Sequence, residues 1–267
     1  MSSVFSVVQM LFLLFPSEKI MIDIHSHILP GVDDGARNEA EALDMLKMAV
    51  DQGVTTQVLT PHIHLGRFNN TKAELTASFV KFRDLVDSQN ISIRLLLGAE
   101  LRIGPELMTL VQQDQIPWLG EYQGKKAFLL EFPRIDVPHG SDNLVRWLLQ
   151  KNIQPIIVHP ERNKSFMKNR SKLQTFINLG CPLQVTGSSL TGKFGVEAQN
   201  MAVELIANEQ VFAIASDCHN LKGRSPDLLQ AFDKIDDLHG QELAMMLCKT
   251  QPENVTQFND YSVSNNS

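Results

Sequence analysis

From residue 21 onward, short apolar runs alternate with segments of helical period. MIDIH (residues 21–25) is strand-like. It is followed by NEAEALDMLKMAVDQG, where Ala42, Leu43, Leu46, Ala49 and Val50 recur at helical spacing and Gly53 supplies a stop. VTTQVLTPH, ISIRLLLGAE, KAFLLEF, IQPIIVHPER, CPLQVTG and VFAIASDCH read as further strands. Helical segments separate them: TKAELTASFVKFRDLVDSQN, a short GPELMTLVQQ, SDNLVRWLLQKN, SKLQTFINLG and GVEAQNMAVELIANE. Two more, near PDLLQAFDKI and GQELAMMLCKT, follow the last strand. Repeated strand–helix order predicts parallel strands. No linker or low-complexity break interrupts the order, so residues 21–257 read as one domain and 258–267 as a polar tail expected to fray.

The N-terminal stretch is different in kind. VFSVVQMLFLLF (residues 4–15) is apolar, yet shorter than the ~20 residues a bilayer span needs. It has neither the basic flank nor the small-residue cleavage site of a secretory signal. Residues 1–20 read as an apolar appendage, or as the result of a start assigned upstream of Met21, and no stable membrane insertion is expected.

The strand ends carry the chemistry. His25 and His27, His62, Glu100, Glu131, His159, then Asp217 and His219 close six of the seven strands, and they include five of the eight histidines. In a closed α/β barrel those ends ring one mouth, where active sites are built. Side chains two apart on a strand share a face, with alpha carbons ~7 Å apart. His25 and His27 can therefore aim two imidazoles, common metal ligands, at one point. An isolated H-x-H is more often a surface or hydrogen-bonded pair. The recurrence of His and carboxylates at later strand ends makes this one half of a metal site that those strands complete.

Composition narrows the classes. The 267 residues are 43% hydrophobic and 20% charged, an ordinary globular balance, and the net charge of −6 disfavours nucleic acid as a partner. Cys181, Cys218 and Cys248 are odd in number and widely spaced. That pattern implies neither a disulfide framework nor a zinc knuckle and suits a reducing cytoplasm.

DIHSHILPGVDDG, TPH, GAE, LLEF, VHPER and ASDCHNLKGR together resemble the motifs of the polymerase-and-histidinol-phosphatase (PHP) superfamily. More narrowly they resemble its bacterial manganese-dependent protein tyrosine phosphatases of capsule and exopolysaccharide loci. The resemblance runs from Met21 to the PENV segment near residue 255. It implies a distorted (β/α)7 TIM-like barrel, the PHP fold, around a cluster of three metal ions. The ligands it implies are His25, His27, Asp34, His62, Glu100, Glu131, His159, Asp217 and His219. Arg162 and Arg224 match arginines that hold phosphate in such relatives, a role suited to the guanidinium fork. Manganese is the metal implied, although nine His and carboxylate ligands without thiolate also suit Fe²⁺, Co²⁺ or Zn²⁺. The implied reaction is hydrolysis of phosphotyrosine by metal-activated hydroxide, without a phosphoenzyme. The implied substrate is the tyrosine-rich tail of a bacterial kinase controlling polysaccharide export.

Several neighbours are weighed separately. Asp33 reads as a turn residue or a support for a ligand. His64 and Arg67 have no assigned role, and His64 is either a substrate contact or a solvated loop residue. His139 and His239 lie away from strand ends and read as structural or surface residues. Cys218 and Arg224 form C-x5-R, the spacing of thiolate tyrosine phosphatases. In those enzymes the cysteine opens a phosphate-cradling loop. Here an alternation that turns Asp217 and His219 inward turns Cys218 away, so the thiolate reading is set aside. A small-molecule phosphatase of the same superfamily, such as one acting on histidinol phosphate, and a non-catalytic kinase-docking module are the alternatives.

Overall fold

The computed structural model describes residues 19–261. Its strands are β1 (Met21–Asp23), β2 (Val54–Leu59), β3 (His62–Ile63), β4 (Arg94–Leu97) and β5 (Glu100–Arg102). They continue as β6 (Gly120–Tyr122), β7 (Lys125–Glu131), β8 (Ile153–Val158), β9 (Leu183–Thr186) and β10 (Ala213–Ala215). The longer helices are α1 (Glu39–Asp51), α2 (Lys72–Ser88), α3 (Ser141–Gln150), α4 (Arg170–Asn178), α5 (Val196–Ala207) and α6 (Leu228–His239). Helix starts follow local chemistry. Asn38 accepts the Glu41 amide to open α1, and Thr71 and Glu74 form a reciprocal capping box at α2.

β2 runs on into β3, and β4 into β5, as two interrupted strands. Their first halves pair in the order β1–β2–β4 and their second halves join the run β10–β9–β8–β7–β5–β3, all in parallel. The ring closes at the mouth. Beyond β1, Ser26 bridges Cys218; the Asp217 amide donates to His25 O (2.8 Å) and the His27 amide to Cys218 O (2.9 Å). Lower down, the buried Asp23 carboxylate takes the Ser216 amide (3.0 Å) and hydroxyl, locking the first strand to the last. The expected parallel seven-stranded barrel is present, distorted by its two interrupted strands.

Two apolar layers hold it. Ile22, Val58, Leu96, Leu129, Ile156 and Ala213 pack as one inner cluster from six of the strands. Their strand neighbours, among them Leu59, Leu97, Leu130, Ile157 and Ile214, pack outward in a second cluster with helix residues such as Leu46, Phe79, Leu148 and Phe232. Burying these side chains, at about 1.5–3 kcal/mol each, is the main force fixing the strand ends.

Two features depart from the sequence reading. β6 pairs antiparallel with β7 through a tight turn in which Gln123 and Gly124 both take positive φ (52° and 74°). The start of the tail is docked, not frayed: buried Asn259 donates from Nδ2 to Leu97 O, Trp118 O and Leu119 O, and Tyr261 hydrogen-bonds Thr76. The apolar segment at residues 4–15 lies outside the described residues. Among the described residues, no helix is long and apolar enough to cross a membrane.

Candidate metal centre

His25 and His27 sit just past β1, where the chain leaves regular pairing and the Asp23 carboxylate accepts the His25 amide (3.3 Å). Ile24 packs into the inner cluster, and unbroken alternation would send His25 to the opposite face; the break after Asp23 lets both approach the barrel axis. Each imidazole is then fixed from behind. His25 Nδ1 donates to Gln184 Oε1, and His27 Nδ1 donates to Asp33 Oδ2, both at 2.7 Å. This turns the two Nε2 atoms toward one another at 3.3 Å. Glu100 Oε2 lies 3.4 and 3.3 Å from these two nitrogens, and Asp217 Oδ1 lies 3.4 Å from each. Burial opposes charge on both rings, yet Asp217 and Glu100 raise His25 and Asp33 raises His27, so this buried space favours positive charge, which a divalent ion would supply.

The remaining candidates extend the cluster. His62 Nδ1 is 3.0 Å from Glu100 Oε2 and 3.9 Å from Glu131 Oε2, while its Nε2 is 3.5 Å from Asp34 Oδ1. His219 donates from Nδ1 to Asp217 O (3.0 Å), leaving Nε2 3.7 Å from Asp34 Oδ1. His159 Nε2 is 2.7 Å from Glu100 Oε1. Four sets have ligand atoms mutually within 4.8 Å: His27, Asp34, His62 and His219; His25, His27 and Glu100; His25, His159 and Asp217; His62, Glu100 and Glu131. All nine residues singled out from the sequence fall in these sets. Buried Asp217 Oδ1 and His62 Nδ1 have no hydrogen-bond partner, which fits coordination. The donor set, nitrogen and oxygen without sulfur, suits a hard or borderline divalent ion.

Backbone geometry helps to aim two of the candidate ligands. His159 and Asp217 take left-handed φ of 38° and 50°. Such conformations cost about 1–3 kcal/mol in a non-glycine residue and persist where surrounding structure enforces them. Here the His159 amide donates to Gln184 O (2.7 Å) and the Asp217 amide to His25 O.

The electrostatics follow from burial against charge. Burial opposes ionisation of Asp217, but Arg224 and Arg162 outweigh it and hold the carboxylate well below its usual range. Glu100 is likewise kept ionised against burial by His62 and His25. Burial and the Glu100 carboxylate push Glu131 up to about 7. Burial and Arg162 lower His159 to about 4, which keeps it neutral as a ligand must be.

Arg162 and Arg224 converge on one atom: Arg162 Nη1 lies 2.8 Å from Asp217 Oδ2, and Arg224 Nη2 donates to the same oxygen. Asp33, beyond orienting His27, accepts the His62 and Gly35 amides and so is a support for ligands. Asp34 is the most exposed of the nine and also pairs with Arg67 (3.2 Å). His64 is half-buried in a small loop where it pairs with Phe68, while His139 and His239 are exposed and belong to none of the four ligand sets. Cys218 is fully buried in the outer apolar cluster, and burial pushes its thiol pKa well up.

Three contributors were missed. Gln184 lies between the outward Leu183 and Val185, a polar residue in an apolar strand, and that pattern was its signal. Glu161 is buried and accepts the Thr186 amide (3.0 Å) and Ser189 hydroxyl (2.6 Å), fixing the 160–162 turn that carries Arg162. Arg102 Nε reaches Glu131 Oε2 at 3.1 Å. The last two looked like ordinary surface charges in the sequence.

The chain is similar to known proteins over most of its length. A family model described as capsular polysaccharide synthesis, CpsB/CapC, matches residues 21–257. Tyrosine-protein phosphatase YwqE of Bacillus subtilis (strain 168) is 34% identical over 227 residues, covering 85% of this chain and 88% of its own. Tyrosine-protein phosphatase CpsB of Streptococcus pneumoniae is 28% identical over 88% of this chain and 98% of its own. A crystal structure from work on YwqE and CpsB, described as unique metal-dependent tyrosine phosphatases, superposes with a TM-score of 0.82 at 32% identity. That match covers 89% of this chain and 94% of the other.

Proposed function

The chain belongs to the CpsB/CapC family of capsular polysaccharide synthesis, and from that premise we propose that it is a metal-dependent protein-tyrosine phosphatase. The observation that carries the reading is the convergence of nine imidazole and carboxylate groups with two arginines at one barrel mouth. Manganese is the ion we assign, in a cluster of three, with His25, His27, Asp34, His62, Glu100, Glu131, His159, Asp217 and His219 as its holders. Divalent ions in such a setting act as Lewis acids toward a phosphoryl group and lower the pKa of water.

The chain's own residues do the rest. Gln184 and Asp33 fix the tautomers of His25 and His27, so each presents Nε2 inward. Arg162 and Arg224 bring two guanidinium groups to the edge of the cluster, where they grip phosphoryl oxygens and offset charge developing on them. Cys218 takes no part as a nucleophile, because its thiol is buried and protonated. The displaced group from phosphotyrosine is a phenol of pKa ~10, which departs without strong acid assistance. The substrate we assign is the phosphotyrosine tail of a bacterial kinase governing capsule or exopolysaccharide synthesis, met in the cytoplasm, a compartment that suits three free cysteines.

The test is hydrolysis of p-nitrophenyl phosphate and a phosphotyrosyl peptide by chelator-treated enzyme, then after Mn²⁺ is restored. Activity should vanish and return. Turnover that survives chelation overturns the metal reading, and faster turnover of histidinol phosphate than of the peptide overturns the substrate.

A further inference from the structure

A cavity of about 300 Å³ opens beside the cluster, and Glu131, His159, Arg162 and Arg224 are among its lining residues. Phe132, Phe166, Met167, Ala198 and Phe194 give it an apolar stretch of wall, beside the polar Arg134, Asn163 and Lys164. Phe132 and Phe166 are buried and rigidly packed edge-to-face at 5.3 Å. Phe194 differs from them in being half-buried, and it stands on a short loop, Thr-Gly-Lys-Phe-Gly (191–195). Gly192 and Gly195, with φ of 82° and 91°, bend the chain on either side of it. Lys193 anchors that loop through the buried Asp227 carboxylate (3.0 Å), which also takes the Ser188 hydroxyl. The Phe194 ring is thereby held 4.7 Å from the Arg162 guanidinium carbon, and Arg162 is in turn tied to Asp217.

We propose that this cavity seats the aryl group of the substrate and that Phe194 selects aromatic over aliphatic phosphomonoesters. The inference rests on the phosphatase reading above. A phosphoryl group gripped by Arg162 and Arg224 sits where the cavity meets the cluster, so its organic substituent projects into the cavity, within reach of the Phe132, Phe166 and Phe194 side chains. A flat ring there packs against Phe194 and the guanidinium face, in the offset or edge-on geometries that aromatic groups favour. A phosphoserine offers a single methylene before its backbone and leaves that surface without a partner. The slot thus separates two substrates whose reacting ends are the same.

Non-hydrolysable probes isolate this contribution. Manganese-loaded enzyme is titrated calorimetrically with benzylphosphonate and with methylphosphonate, which share the anionic end and differ in the ring. The wild type should bind benzylphosphonate more tightly. Phe194→Ala should weaken it about tenfold while leaving methylphosphonate unchanged, and Phe194→Tyr should restore the preference. Equal weakening of both probes would show that Phe194 only props Arg162, and an unchanged preference in Phe194→Ala would place the ring elsewhere; either result overturns the inference. If the loaded wild type binds neither probe and hydrolyses no aryl phosphate, the phosphatase reading itself falls.

Discussion

Asp33 and His27 are joined by a 2.7 Å hydrogen bond from Nδ1 to Oδ2, and the same carboxylate oxygen takes the His62 amide at 3.0 Å. One side chain thus sets the tautomer of one candidate ligand and the backbone of another. Burial opposes its ionisation, but the facing His27 lowers the Asp33 pKa far enough to keep it charged. Asp33→Ala should weaken manganese binding about 10–100-fold. Titration of the chelated protein with Mn²⁺, beside circular dichroism to check the fold, measures this.

Gln184, on β9, does the same for His25. Gln184→Leu keeps the buried volume and removes the acceptor, which frees the ring to adopt the wrong tautomer. A loss of about tenfold or more in kcat is expected. Melting temperature should move far less, and a large fall in it with kcat intact would remove Gln184 from the site.

Arg224 and Arg162 share Asp217 Oδ2. In the proposed phosphate grip, removing one guanidinium takes away charge that complements the phosphoryl oxygens, so Arg224→Ala should lower kcat/KM for a phosphotyrosyl peptide by about 100-fold. Arg224→Lys should recover only part, since a point charge does not replace a planar fork. Steady-state kinetics on the three forms reads this directly.

The cysteines give a pH prediction. Thiols react as thiolates. Burial pushes Cys181 up to about 12 and raises Cys218 and Cys248 as well, so at pH 8 the native protein holds almost no thiolate. Iodoacetamide at pH 8 should leave native protein unmodified and add three groups after denaturation, counted by intact mass. The Cys218→Ser variant should keep its manganese-restored activity.

Gly35 has no room for a side chain. A Cβ there would lie 1.9 Å from His27 O, and backbone is what it would meet. Gly35→Ala should destabilise the protein by about 1–3 kcal/mol. The shift should also displace His27, so metal affinity and melting temperature should fall together.

Much of this was readable because barrel topology turns linear order into a ring. Parallel strands bring all their C-terminal ends to one mouth, so His62, Glu100, Glu131 and His159 could be grouped before any coordinates. Alternation also placed Cys218 outward. It did not explain His25, since Ile24 beside it is also inward and the break after Asp23 depends on Ser216, far away in the chain. Gln184 was hidden for a similar reason: its partner lies 159 residues away. The β6–β7 turn carried its signal in Gln123-Gly124, which the strand-then-helix expectation overrode. Asn259 looked like part of a soluble tail because its three carbonyl partners belong to strands and loops that the sequence does not bring near it.

The seam between the first and last strands also has a meaning for synthesis. His25 and His27 leave the ribosome early, while Asp217 and His219, which complete their surroundings, emerge near the end. A nascent chain cannot assemble the centre until that late segment arrives and docks on Ser26. The proposed nine-residue centre is therefore complete only in a chain that reaches His219, although His62, Glu100 and Glu131 are already made by then.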